Sequence, residues 1–131
     1  MRPLDTPDFT GLTLLVVDDN DDSREMLATF LQACGASVLP ARNGMAAVAY
    51  IETAPKIDAL ITDLAMPVMD GGELVQRLRR HPTRHTLPAI AVSGFFQDSM
   101  DVRGFDAFLP KPVDLDELCR QIRGAIDARS A

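Results

Sequence analysis

Four polar signals stand at the ends of four separate apolar runs: Asp18-Asp19 after Leu14 to Val17, Asp63 after Ala59 to Thr62, Ser93 after Ala89 to Val92, and Lys111 after Phe108 to Pro110. Acids, a hydroxyl and an amine gathered at one point could hold a hard cation. Two carboxylates about 5 Å apart repel by about 3 kcal/mol at an effective dielectric of about 20, so Asp18, Asp19 and Asp63 together call for a cation or for raised carboxyl pKa values. Hard oxygen ligands with few protein contacts favour magnesium, which keeps its waters and prefers carboxylate plus phosphate oxygens. Lys111 brings a second positive charge from the far side.

Taken singly, each signal has a plainer reading. The run Asp18 to Asp22 could be a solvated turn with a helix cap, Asp63 could cap the turn before Met66, and a serine that ends a strand is usually a turn residue. Asp18, Asn20 and Asp22 also match the first ligand positions of a calcium loop. Ser23 stands where that loop needs its glycine, Thr29 where it needs its glutamate, and a strand rather than a helix precedes it, so the motif is rejected.

The signals converge only if the intervening elements position them. Leu12 to Val17 is a continuous apolar run broken by one Thr, the pattern of a strand buried on both faces. Asp22 and Glu25 have capping-box spacing before a helix whose Met26, Leu27, Phe30, Leu31 and Cys34 share one face, with Gly35 closing it. Ala36 to Leu39 reads as a second strand, Gly44 to Thr53 as a second helix, and Ile57 to Thr62 as a third strand. A helix packing Leu74, Val75 and Leu78 then runs until Pro82. Pro88 to Val92 and Asp106 to Leu109 read as strands four and five. Asp114 and Glu117 repeat the capping spacing before a last helix carrying Leu115, Leu118, Cys119, Ile122 and Ile126. Alternating strands and helices call for an α/β fold: a five-stranded parallel sheet, doubly wound in the flavodoxin-like order 2-1-3-4-5, with helices on both faces. Its ligand site should lie beyond the carboxyl ends of strands one and three, where Asp18, Asp19 and Asp63 stand.

The 131 residues are 47% apolar, enough for one domain with its own core. No apolar run is long enough for a membrane span and Met1 to Gly11 lacks the order of a signal peptide, so a cytoplasmic protein is expected. A net charge of −6 argues against a surface built for nucleic acid; the basic cluster Arg77, Arg79, Arg80, His81, Arg84 and His85 reads as a solvated helix end. Cys34 and Cys119 match no metal spacing and read as buried free thiols.

Jointly, Asp18-Asp19 after a buried strand, Asp63 followed by Met66-Pro67 and Asp70-Gly71, Ser93-Gly94 and Lys111-Pro112 resemble the receiver domain of two-component response regulators, over residues from about 12 to 128. The resemblance implies a single receiver domain over residues 1–131. It implies that Asp63 accepts a phosphoryl group from a phosphohistidine on a sensor histidine kinase or a histidine phosphotransfer domain. Mg2+ would be held by Asp19, Asp63 and the carbonyl of Ala65, with Asp18 bound directly or through water. Lys111 and Ser93 would contact phosphoryl oxygens, and Ser93 with Phe108 would form a switch read by a downstream protein. The chain has no room for a second domain, so DNA binding in cis is not expected, and neither is a membrane contact. The Lys111-Pro112 bond is expected to be cis.

Rival readings meet specific obstacles. A haloacid dehalogenase-type phosphohydrolase needs Asp-x-Asp, and Asn20 occupies its third position. A flavin binder would meet an acidic loop where phosphate sits, with Tyr50 the only tyrosine and no tryptophan. A docking module that is never phosphorylated would not need the intact acids and lysine. The family-like chain departs most between Ser93 and Lys111, which is about one helical turn shorter than usual. The helix before strand five should therefore be shortened, a frayed turn over 97–103, with Phe95 and Phe96 as candidate exposed contacts.

Overall fold

Leu14 through Val17 carry only apolar side chains, and all are buried in the strand they form, as a strand covered on both faces requires. The computed structural model describes residues 7–94 and 103–130. In chain order the elements are β1 (Thr13–Val17), α1 (Asp21–Ala33), β2 (Ser37–Ala41), α2 (Gly44–Thr53), β3 (Ala59–Thr62), α3 (Gly71–Arg79), β4 (Ala89–Ser93), β5 (Ala107–Pro110) and α4 (Leu115–Ser130). The strands form one parallel sheet in the order β2-β1-β3-β4-β5, the arrangement expected from the alternation of elements.

Successive residues of β1 point to opposite faces and divide the core in two. Leu14 and Val16 pack with Leu27 and Leu31 of α1 and Leu118 and Ile122 of α4. Leu15 and Val17 pack with Ile51 of α2 and Leu74, Val75 and Leu78 of α3. Helices therefore cover both faces, and the apolar stripes read from the sequence lie inward, with one exception. Met26 is 52% exposed and lines the cavity that Asp18, Asp63 and Lys111 also line.

Boundaries differ from the sequence reading where a side chain captures a backbone amide. The Asp22/Glu25 box does not form the cap of α1. Asn20 does, accepting from the Ser23 amide at 2.9 Å, and leaves Asp21 and Asp22 in the first turn, where acids suit the helix dipole. A full capping box stands instead at α3, between Asp70 and Glu73. At α4, Asp114 accepts the Glu117 amide at 3.1 Å. The second strand is Ser37–Ala41, shifted toward its carboxyl end so that Ala41 pairs with Val17.

The basic cluster is only partly a solvated face. Arg84 donates to the carbonyls of Ile51, at 2.6 Å, and Ala54, closing the end of α2, whose last turn has no basic residue of its own. Arg79 donates to the carbonyls of Leu87 at 2.6 Å and Gly104 at 2.6 Å. Both cysteines are free and buried, as expected. Among the described residues no helix is long and apolar enough to cross a membrane. The shortened turn expected over 97–103, and the contacts assigned to Phe95 and Phe96, lie outside the described residues apart from Arg103.

Candidate functional site

Sheet pairing continues one residue past the strand ends and sets the acids side by side. The Asp18 amide donates to Ala41 at 3.1 Å and the Asp63 amide to Val17 at 2.9 Å, so both residues are held by neighbouring strands as they leave the sheet. Asp18 and Asp63 are 7% and 9% exposed, whereas Asp19 faces solvent. Carboxylate oxygens of Asp18, Asp19 and Asp63 come within 4.8 Å of one another.

Lys111 reaches this group from β5. Its amide donates to Ser93 at 3.1 Å, which ties the lysine to the end of β4, and the bond to Pro112 is cis as expected. The amine stands 3.0 Å from Asp18 Oδ2 and 2.9 Å from Asp63 Oδ2. Burial pulls its pKa down, but hydrogen bonds and charge from Asp63 and Asp18 outweigh that and hold it above the ordinary lysine value. The charge balance demanded by the acidic cluster is thus met in part by Lys111 itself. Asp63 Oδ1 also accepts the Ala65 amide at 3.3 Å.

Two features fix the backbone of Asp63. The Thr62 hydroxyl donates to the Asp63 carbonyl at 2.8 Å, and α3 begins against the same atom. A Cβ on Gly71 would lie 2.3 Å from the Asp63 carbonyl oxygen, so the Asp70-Gly71 signal is the place where only glycine lets the helix start this close. Between them, Val68 takes φ 70° and is 95% exposed, at the tip of a three-residue turn closed by Met69 N to Pro67 O at 2.8 Å.

Ser93 ends β4 at 1% exposure. Phe108 lies outward on β5, 41% exposed, its ring meeting Phe105 edge-on at 5.4 Å. A cavity of about 560 Å³ adjoins the acids, lined by Asp18, Asp63 and Lys111 together with the apolar Met26, Leu27 and Val92.

The sequence reading missed Arg24 and Thr62, which touch backbone carbonyls of the acidic residues rather than their carboxylates. Arg24 left one usable sign, a cation one turn into a helix whose first turn is acidic. Three clustered carboxylates, one of them open to solvent, fit a hard divalent cation that completes its shell with water.

Residues 14–123 match the response regulator receiver domain family. The chain is 41% identical over 117 residues to an uncharacterized 14.6 kDa protein of Leptolyngbya boryana, covering 86% of this chain and 88% of that one. It is 40% identical to a response regulator receiver protein of Anaeromyxobacter, over 76% of this chain and 42% of that one. It spans 14% to 51% of several further curated relatives. Among solved structures, a response regulator receiver protein from Pseudomonas putida superposes with TM-score 0.80 at 34% identity, covering 86% of this chain and 96% of that one.

Proposed function

The chain belongs to the response regulator receiver family, and from that premise we propose that it is a phosphoacceptor module whose acceptor is the carboxylate of Asp63. The observation that carries this reading is the clamp on Asp63: Lys111 on one oxygen, the Ala65 amide on the other, and Asp18 and Asp19 beside it. A carboxylate oxygen attacks phosphorus, the bond from phosphorus to a donor histidine nitrogen breaks with its electron pair passing to a ring that carries or takes up one proton from water, and the products are an acyl phosphate on Asp63 and a neutral imidazole.

Asp19, Asp63 and the Ala65 carbonyl would hold Mg2+, with Asp18 direct or through water. When bound, the ion offsets the charge of acids and phosphoryl oxygens. Lys111 passes its hydrogen bond from Asp63 to a phosphoryl oxygen, and Ser93 donates to another. The inward draw on Ser93 would free space for Phe108, now outward, to turn in and change the surface offered to a downstream protein. The donor is a sensor histidine kinase or a histidine phosphotransfer domain. The chain acts as one receiver unit in the cytoplasm, and takes part in its own modification rather than turning over a free substrate.

Intact-mass measurement after incubation with acetyl phosphate tests this. One phosphoryl group is expected on the parent protein with Mg2+ and none without it, and Asp63→Asn should remain unmodified. Equal modification of Asp63→Asn would overturn the assignment. Turnover of free phosphate monoesters would favour a hydrolase instead.

A further inference from the structure

We propose that Arg24 is a positioning residue for the acidic site, acting on the backbone that carries Asp19; the inference rests on the reading of Asp18, Asp19 and Asp63 as a magnesium site. Arg24 runs against the helix dipole, since it follows Asp21 and Asp22 near the start of α1, where a cation is disfavoured. It is nevertheless largely covered, its side chain 14% exposed. One guanidinium nitrogen donates to the Asp18 carbonyl at 2.9 Å and the other pairs with Asp21 at 2.5 Å.

That carbonyl belongs to the peptide joining Asp18 to Asp19. Asp18 is held elsewhere too: its amide on Ala41, its Oδ1 by the Asn20 amide at 2.9 Å, its Oδ2 by Lys111. Asp19 is exposed, and its aim depends on the plane of the peptide before it. The fork of Arg24 locks that plane to α1. A lysine could supply the charge but not two fixed donors.

Charge and position predict opposite signs, which makes the inference testable. By Coulomb's law alone, removing a cation beside the site should tighten magnesium binding. Loss of positioning should loosen it, by about tenfold or more, as for other groups that orient metal ligands.

The experiment is calorimetric titration of MgCl2 into the parent protein, Arg24→Met and Arg24→Lys, with circular dichroism to check the fold. Weaker binding in both variants is expected. Parental or tighter binding by Arg24→Met, or full restoration by Arg24→Lys, would overturn the positioning role. If Arg24→Met does not fold, Arg24→Lys decides alone. A parent protein that binds no Mg2+ would remove the site reading and this inference with it, whereas binding that neither variant weakens removes only Arg24.

Discussion

The amine of Lys111 lies 2.9 Å from Asp63 Oδ2, although the residues are 48 positions apart in the chain. The same amine holds Asp18 at 3.0 Å, so a single cation balances two buried acids. Lys111→Met should therefore lower stability at neutral pH by about 1–2 kcal/mol, less than a fully buried pair because the amine is partly solvated. The amine's pKa is raised, so its contribution is complete at neutral pH and is lost only as pH rises past the ordinary value of 10.5 toward the folded one. Adding Asp63→Asn to Lys111→Met should recover part of the loss. Urea denaturation of the four proteins in that cycle measures the coupling, and additive effects would refute it.

Asp19 contributes charge to the cluster without the burial of its neighbours. Asp19→Ala is expected to raise the melting temperature of the metal-free protein slightly, because it relieves repulsion. It should also increase the Mg2+ concentration needed for phosphorylation. An unchanged melting temperature would count against the repulsion argument.

Two glycines should respond to alanine with opposite signs. At Gly71 the new Cβ would meet the Asp63 carbonyl at 2.3 Å, so Gly71→Ala should cost about 1–3 kcal/mol and slow phosphorylation by displacing Asp63. At Gly124, inside α4, nothing lies within 4 Å, and Gly124→Ala should stabilise by about 0.5–1 kcal/mol. Chemical denaturation of both variants checks the pair. Equal effects would mean that the contact of α3 with Asp63 is not tight.

Burial pushes the Cys119 thiol up to about 12, with charge and a hydrogen bond from Cys34 adding to it. The folded protein keeps this proton where the unfolded chain, at the ordinary 9.0, has lost it. Stability should consequently fall as pH rises from 9.0 toward about 12, and Cys119→Ala should flatten that fall. Melting temperatures across the alkaline range test the slope. Alkylation by iodoacetamide should be slow in the native protein and fast in denaturant.

The order of the sheet and the place of its site were legible because both follow from local pattern. Unbroken apolar runs such as Leu14 to Val17 mark strands buried on both faces, the intervening helices force parallel pairing, and Asp18, Asp63, Ser93 and Lys111 each sit at a run's carboxyl end. Helix starts were less legible. Asn20, Asp21 and Asp22 all have side chains that can cap, and only the conformation of the chain leaving β1 selects Asn20. What tertiary structure alone decided is which groups meet. Arg24, Arg79 and Arg84 look alike in sequence as surface cations, yet each ends on backbone carbonyls, Arg79 and Arg84 on those of other elements. Cys34 and Cys119 became partners only when α1 and α4 packed on one face of the sheet. A long side chain's partner depends on the distance between elements far apart in the chain, and no local periodicity encodes that distance.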